Sequence, residues 1–536
     1  MNCLLSSRSQ FSWVTFVGII SLQVTSGTHS IVSAYSSLLQ HQFSMSQVQL
    51  NFLIVALDIG RLFGWFSIAA ANYLPKWMIL SIGLIFISVG NGVQYLYLIH
   101  KIPSLSYWHV FFLNVIAGNS ICWINTYCNI VAIRNFKNNH RTIIALASSY
   151  SVFGGKLYTL LVEGIQGREG SRNSSTYLLL SCLVPAVVGL AVVILFSCPK
   201  LIEYGELDTF PVVFLIAIAT GVYVLLESIA PPFQYMSPRL RVVILVLAIL
   251  LPLAVLPVIN ASRICTLKKW RSRVMPEVSS FDSSSNAERV NEVSVISREE
   301  EKGGNNEKAG TRVEDSSEEG DTSVGDEHGV KESVMSVNFW LYFWVNACGV
   351  TLGMVYAYNL ERISESRGNK EASFLLAIPS TFGYFGKVFS VSFDWYTREK
   401  RLLSRPAVIV LAMIPMPVSF FLLTSDSNIC LYISTCILGI CSGAINVISA
   451  STTSELFGFQ NSKIIHNIVL TNIPIGSLLF GYVAALNYDI KGGGNTGKCI
   501  GPACYSKTFI IWGSICYVGT VLSFVLHFRI QKFHSK

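Results

Sequence analysis

The sequence predicts an all-α polytopic membrane protein whose chain crosses a lipid bilayer many times. Of its 536 residues, 51% are hydrophobic and only 13% are charged, whereas soluble domains carry about 25% charged residues. The apolar residues also fall into blocks of about 20, the length that a helix needs to cross a hydrocarbon core. The strands of a membrane barrel would be about half as long and would alternate in polarity, so we expect a helix in every block.

Fourteen such blocks follow one another, eight before a long polar segment and six after it. We predict spans at 13–34, 50–71, 76–99, 108–131, 141–162, 176–197, 210–230, 240–260, 336–358, 373–393, 405–424, 429–450, 463–486 and 508–528. The first block has the length of the apolar part of a cleaved signal peptide. Because apolar residues continue through 31–35 and further spans follow at once, we interpret it as a span instead.

The polar segment and the loops predict the orientation. Residues 274–335 carry 16 acidic and six basic residues and a single aromatic one. This composition cannot offset the entropy of ordering, so we predict a disordered tether; phosphorylation of its serines is an alternative role. Elsewhere, 19 basic residues lie on the side of the N-terminus and 11 on the other. The bias predicts that both termini and the tether are cytosolic, in the plasma membrane or an endomembrane.

Two bundles joined by a long cytosolic loop are the plan of transporters built from repeats. We therefore divide the chain into a six-helix bundle (1–200), two additional helices (201–262), an acidic linker (263–335) and a second six-helix bundle (336–536). The plan predicts a secondary transporter of a small organic solute. We expect the protein to be a monomer whose partners are the lipid bilayer and the solute. No catalytic set, cofactor, metal or nucleic-acid site is indicated.

Four ionisable residues inside predicted spans stand out, because a charge there costs a few kcal/mol and marks a candidate functional site. Asp58 and Arg61 are three residues apart and can pair on one helical face. Their pair is either structural, or Asp58 is a protonation site that couples transport to a proton gradient. Lys156 and Lys387, one in each bundle, have no acid within a turn, so both are candidates for binding an anionic solute; for Lys156, snorkelling toward the interface is the alternative.

Polar residues outside this set give three further expectations. Asn119 and Asn125 are six apart in the fourth span, so at most one faces a cavity and the other bonds to a neighbouring helix. Cys499 and Cys504 share a loop predicted to lie outside, where a disulfide and two free thiols are both consistent with the sequence. Asn173 opens an Asn-Ser-Ser sequon in another outside loop, a candidate for N-glycosylation on a secretory route.

Several stretches are similar to a known family: DIGRLFG (58–64), GNSICWINTY (118–127), RNFKNNHR (134–141), SELFG (454–458), PIGSLLFGYVAALNYD (474–489) and CIGPACYSKTF (499–509). Together they resemble the plant nodulin-like branch of the major facilitator superfamily, which includes the nuclear-fusion-defective-four-like proteins. The resemblance covers nearly all of the chain outside the tether. It implies a major-facilitator-like fold and a facilitator-type membrane protein whose solute is unassigned.

The departures from the family pattern support a rival interpretation. The superfamily's loop signature, a Gly-Asp pair and a basic run, is missing after the second span (WFSIAAANYLPKW, 65–77) and is only partly kept as SVSFDWYTREKR (390–401). Tyr358 also stands where the family tends to have an acid. The eroded signature favours a non-transporting receptor or scaffold, whereas the intramembrane charges favour transport. A membrane enzyme would need a His/Asp or His/Cys cluster, which the sequence lacks.

Overall fold

The computed structural model describes residues 2–28, 35, 39, 42–43, 45–136, 139–167, 175–197, 210–229, 235–252, 255, 329–368, 372–400, 404–458, 461–491 and 499–534. The described helices belong to one compact unit, which comprises residues 1–257 and 325–536. In these ranges the chain is helical, with no β-strand.

Fourteen of the described helical segments coincide with the fourteen predicted spans. The N-terminal half contains α1 (Asn2–Ser26), α2 (Gln47–Leu62, continued by Gly64–Ala70), α3 (Lys76–Leu98), α4 (Tyr107–Asn135), α5 (His140–Ser149, continued to Gln166) and α6 (Ser175–Ser197). An added pair follows, α7 (Phe210–Ile229) and α8 (238–252). The C-terminal half contains α9 (Val337–Asn346, continued to Ser366), α10 (Ala372–Lys400), α11 (Arg405–Met413 and Pro415–Leu422), α12 (Asn428–Phe457), α13 (Ser462–Leu470 and Asn472–Lys491) and α14 (Ala503–His534).

Length and hydropathy separate these helices. Within the described ranges, nine are long and apolar enough to cross a membrane by length and composition: α2, α3, α6, α7, α9, α11, α12, α13 and α14. The 29-residue helices α4 and α10 are also long enough, but polar side chains such as Asn119 and Lys387 interrupt their apolar surface. The molecule is therefore an integral, multi-pass membrane protein.

Local sequence determines where the helices that carry the site begin. Ser46 and Gln49 form a reciprocal cap at the start of α2: the Ser46 hydroxyl accepts from the Gln49 amide at 3.2 Å, and the Gln49 side chain accepts from the Ser46 amide at 2.9 Å. The Ser46 side chain thus satisfies one of the backbone donors that the first helical turn leaves unpaired. Ser336 caps α9 in a similar way, accepting from the Phe339 amide at 3.2 Å.

Each half has its own apolar core. In the N-terminal half, α1 buries Trp13, Phe16 and Ile20 against α4 and α5. In the C-terminal half, Tyr356 and Trp512 are completely buried. The N-terminal core continues through α7 onto α10, so the two halves are in contact along the added helix.

The prediction that disorder extends to residue 335 is wrong for its last six residues. Val330–Met335 form a short helix. Val330 and Val334 lie one turn apart and pack against the core of the C-terminal half, and Ser333 is buried. The apolar spacing i, i+4 places both valines on one face of the helix. The acidic composition of the whole segment gives no sign of this short apolar pattern. The rest of the predicted tether lies outside the described residues.

The two halves repeat one close helix contact. In the N-terminal half a Cβ on Gly118 of α4 would lie 1.9 Å from the Leu57 carbonyl oxygen of α2. In the C-terminal half a Cβ on Gly443 of α12 would lie 2.2 Å from the Gly383 carbonyl oxygen of α10. Only glycine permits such backbone contact. The second and fourth helices of each half therefore pack directly together, next to Asp58 in one half and Lys387 in the other.

Candidate functional site

Asp58 lies in the middle of α2, and its carboxylate is bonded to both halves of the molecule. Its side chain is 1% exposed, and one oxygen pairs with Arg61 Nη1 at 3.0 Å. The other oxygen accepts a hydrogen bond from the Ser477 hydroxyl of α13 at 3.0 Å. Because α2 and α13 belong to different halves, the carboxylate joins the two halves.

Arg61 makes the second link across the halves. Its guanidinium lies close enough to the Tyr358 side chain of α9 for the two groups to interact. Tyr358 follows a π-helical turn at Ala347–Thr351, and such turns shift the register of the helix beyond them. At the turn, the Thr351 hydroxyl donates to Asn472 Oδ1 of α13 at 2.8 Å. The turn thus orients Tyr358 toward the pair in α2.

Lys387 lies near Arg61 on the opposite half. It is half-buried in α10, and its ammonium is close enough to Arg61 for the two positive charges to repel each other. Among the described residues, no carboxylate or hydrogen-bond acceptor partners its Nζ. Asp58, Arg61 and Lys387 together carry a formal net charge of +1, so the cluster has one formal positive charge that no described group neutralises.

Asn119 and Asn125 both bond to neighbouring helices. Asn119 Nδ2 donates to the Gly60 carbonyl of α2 at 2.9 Å, and its Oδ1 accepts from Trp123 Nε1 at 2.9 Å. Asn125 Oδ1 accepts from Gln23 Nε2 of α1 at 3.0 Å. The buried Asn119 therefore supports the backbone between Asp58 and Arg61, a positioning role that its spacing alone did not indicate.

Lys156 is not the unpaired ammonium that we expected. Its Nζ forms an ion pair with the Glu227 carboxylate of α7 and donates to the Ser228 hydroxyl at 3.2 Å. The sequence argument considered only acids in the same helix, and Glu227 comes from a different one. Glu227 therefore neutralises Lys156 from within the protein, without a bound anion.

Glu227 is the centre of a four-charge network that sequence reasoning missed. Arg241 Nη1 of α8 binds Glu227 at 2.8 Å, and Arg241 Nη2 binds Glu163 of α5 at 2.7 Å. Lys156 and Arg241 thus balance Glu163 and Glu227. A signal existed, because Glu227 is an ionisable residue inside the predicted span 210–230 and the criterion applied to Lys156 selects it equally.

A separate ion network lies where α10, α11 and α12 meet. Arg405 Nε binds Asp394 at 2.8 Å, and Arg405 Nη1 binds Glu455 at 3.4 Å. Asp394 belongs to the partly kept loop signature, and Glu455 belongs to SELFG. The side chains of Arg398 and Lys400, and all of residue 401, lie outside the described part of the chain.

The remaining predicted residues have separate outcomes. Cys499 and Cys504 form a disulfide in the structure. Asn173 lies outside the described residues. In the described ranges, no three His, Cys, Asp or Glu side chains come together as a metal-ligand set.

Comparison with known families covers both halves of the chain. The Nodulin-like family model matches residues 12–259, and the model of the NFD4 C-terminal domain matches residues 321–536. Protein NUCLEAR FUSION DEFECTIVE 4 of Arabidopsis thaliana is 34% identical over 548 residues, which cover 98% of this chain and 90% of that protein. The chain belongs to the nodulin-like family.

Solved structures place the nodulin-like chain among the major-facilitator folds. The D-xylose–proton symporter superimposes with a TM-score of 0.57 at 10% identity, covering 96% of both chains. The xylose transporter XylE from E. coli, in a partially occluded inward-open conformation, gives 0.54 at 10% identity over 96% of this chain and 98% of that one. A bacterial homologue of the human drug peptide transporters PepT1 and PepT2 gives 0.55 at 11% identity over 98% and 99%. At these identities the comparison concerns the fold alone.

Proposed function

We propose that this protein is a secondary transporter that moves a small organic anion by alternating access of its two halves. The observation that carries the proposal is the cluster at their interface. Asp58 of the N-terminal half accepts a hydrogen bond from Ser477 of the C-terminal half, and its partner Arg61 lies close to Tyr358 and Lys387 of that half. Charged groups at membrane depth are costly and are kept mainly where they serve a pathway or a coupling step. Transporters of this plan hold their solute at the same place, near the midplane between the repeats.

The charge of the cluster favours an anion as the solute. Lys387 has no bonding partner among the described residues, and Arg61 shares its single carboxylate with Ser477. A carboxylate placed between the two cations would neutralise the remaining positive charge. A guanidinium offers paired donors that match a carboxylate, and the lysine adds a point charge. Because Lys156 is bound to Glu227, it is not part of this proposed site.

Asp58 is the proposed coupling group. While it is ionised, it holds Arg61 at 3.0 Å. A proton that binds Asp58 removes this attraction and frees Arg61 for the solute carboxylate, so one proton and one anion would enter together. Loss of the proton restores the Asp58–Arg61 pair and expels the anion. The links to Ser477 and Tyr358 would transmit each change to the other half.

The relatives of this fold support transport without giving the solute. The solved structures that resemble the chain are those of xylose transporters, one of them a proton symporter, and of a homologue of peptide transporters. We therefore propose transport from the fold, and we propose the anion from the residues of this chain.

The proposed topology follows the basic-residue bias. Both termini and the linker 263–335 would face the cytosol. The linker would join a six-helix bundle at 1–200 and the added helices at 201–262 to a second six-helix bundle at 336–536. The protein would be a monomer. Asn173 would then be glycosylated on a secretory route. In sealed vesicles, a protease added outside should spare a tag at position 300; cleavage of that tag would contradict the topology.

The direct experiment is uptake by the purified protein in liposomes. We would offer a panel of organic acids, amino acids and sugars with and without an inward proton gradient. The expected result is uptake of one class of anion, stimulated by the gradient. Asp58→Asn should remove the stimulation while leaving anion exchange measurable. Uptake of uncharged solutes only, or unchanged stimulation in this variant, would refute the assignment.

A second candidate function rests on one asymmetry between the halves. The C-terminal half has the Asp394–Arg405–Glu455 network, whereas the loop after α2 contains no acid. A protein that no longer alternates does not need both networks, which favours a membrane receptor or scaffold with the linker as its docking segment. Failure of every panel member to bind a correctly folded protein would support this candidate over transport.

A further inference from the structure

The added helices α7 and α8 are attached to the N-terminal half by charge. The Lys156–Glu227 and Glu163–Arg241 pairs each join α5 to one added helix, and the Glu227–Arg241 pair joins the added helices to each other. The Glu227 side chain is 1% exposed and that of Arg241 is 6% exposed. Separating such partners would leave unpaired charges in a medium of low dielectric constant, which is strongly unfavourable. The three helices therefore resist separation.

The opposite face of α7 contacts the C-terminal half through apolar groups. Phe210 and Phe214 pack against Trp395 of α10, with ring centroids 6.0 and 6.1 Å apart. Glu227 is the only charged residue of α7, and its bonds go to α5 and α8. Within the described ranges, no ion pair therefore joins α7 to the C-terminal half. Apolar contacts have no fixed direction, so this face can repack when the halves move.

One tyrosine of the C-terminal half is inserted into the N-terminal unit. Tyr384 of α10 is completely buried. Its ring lies 4.2 Å from that of Phe153 and 5.5 Å from that of Tyr150, both in α5. Its hydroxyl donates to the Ala217 carbonyl of α7 at 2.9 Å.

Gly221 makes room for this insertion. A Cβ at this position would lie 2.8 Å from the Phe385 ring and 2.9 Å from the Tyr384 ring. The space for Tyr384 is therefore built jointly by α5 and α7, and it requires a glycine on α7.

We propose that α7 and α8 move with the N-terminal half as one rigid unit and that Tyr384 is a latch, holding the C-terminal half against this unit in one of the alternating conformations. The proposal rests on the proposed function, because a latch requires two conformations. In this mechanism the ion network keeps α7 in place, and release of Tyr384 lets α10 slide along it.

Three exposed residues at helix ends provide labelling positions for a test. Trp108 at the start of α4, Ile229 at the end of α7 and Ile490 near the end of α13 are 63%, 46% and 70% exposed. Spin labels on an unnatural amino acid would replace them in pairs in the full chain, in lipid nanodiscs. Distances would be measured by pulsed electron paramagnetic resonance at neutral pH, at acid pH and in the Asp58→Asn background.

The three distances test separately whether α7 moves with the N-terminal half and whether the two halves alternate. We expect the 108–490 and 229–490 distances to change together while the 229–108 distance stays constant. A change in 229–108 with a constant 229–490 distance would show that α7 follows the C-terminal half, and would overturn the inference alone. A constant 108–490 distance under all three conditions would instead contradict alternating access.

The latch is tested by Tyr384→Phe, with Tyr342→Phe as the matched control. Both tyrosines are completely buried and donate to a backbone carbonyl, but the acceptor of Tyr342 is Ser449, in the same half. Loss of one hydrogen bond between the halves should shift the ratio of the two 108–490 populations about fivefold away from the latched state. The control should leave the ratio unchanged. No shift in Tyr384→Phe, or an equal shift in both variants, would overturn the latch.

Discussion

Replacing Glu227 by glutamine should be the most damaging single change in the four-charge network. Glu227 binds two cations, Lys156 and Arg241, and its side chain is 1% exposed. Glutamine keeps the shape but leaves Lys156 with only the Ser228 hydroxyl as a partner. Arg241 would retain Glu163 at 2.7 Å. The substitution therefore removes the negative charge that neutralises Lys156 and weakens the bonding of Arg241.

The expected magnitudes follow from these partners. Breaking a buried ion pair by removing one member costs about 3 kcal/mol or more, and we expect this for Glu227→Gln. Lys156→Met should cost about 1 kcal/mol, since Glu227 keeps Arg241 and the Lys156 side chain is already 21% exposed. In the double variant the cost should be about 1–2 kcal/mol less than the sum, because the two residues interact directly.

Unfolding in mixed micelles with increasing SDS provides the assay, followed by the fluorescence of the ten tryptophans. Lys507→Met, at an exposed position near the start of α14, is the control and should change the free energy of unfolding by less than about 0.5 kcal/mol. An equal loss of stability from Lys156→Met and Glu227→Gln, or strictly additive effects of the two substitutions, would contradict the central position of Glu227 in the network. Glu227 would then not be the shared partner.

Three further changes test other contacts by the same assay. Gly118→Ala should lower the free energy of unfolding by about 3 kcal/mol, since its Cβ would lie 1.9 Å from a carbonyl oxygen of α2; a neutral effect would contradict this packing. Arg405→Met removes the cation that two partly exposed carboxylates share and should cost about 1–2 kcal/mol; no cost would show that the network is not needed for stability. Reducing the disulfide between Cys499 and Cys504 should cost about 2 kcal/mol at most, because the loop it closes is short; global unfolding on reduction would be unexpected.

Helix positions were predictable from the sequence because the membrane imposes a simple rule. A backbone in lipid must satisfy its own hydrogen bonds, so each apolar block of sufficient length becomes a helix, and the structure has a helix at all fourteen blocks. The sequence could not show which helices are neighbours. For this reason Asp58–Arg61, a pair within one helix, was predictable, whereas the pairing of Lys156 with Glu227 was not.

The candidate site was predictable only in its charged members. Asp58, Arg61 and Lys387 can be identified from the sequence alone, because a charge inside a lipid-spanning helix is costly. Ser477 and Tyr358 carry no such signal, since serine and tyrosine are ordinary residues in membrane helices. Their role arises because α13 packs against α2 and Tyr358 of α9 comes close to Arg61, which depends on how the two halves pack.

Substitutions of Lys387 test whether the unneutralised positive charge at the interface of the two halves binds the solute. We would measure uptake of the transported anion by Lys387→Met, Lys387→Arg and Lys156→Met in liposomes at equal protein content. Removing one of the two cations that would bind a desolvated anion costs about 2 kcal/mol or more, about 30-fold in affinity. Uptake by Lys387→Met should therefore fall by at least about this factor. Lys387→Arg should keep part of the uptake, and uptake by Lys156→Met should stay near the wild-type value. Normal uptake in a well-folded Lys387→Met protein would contradict the account.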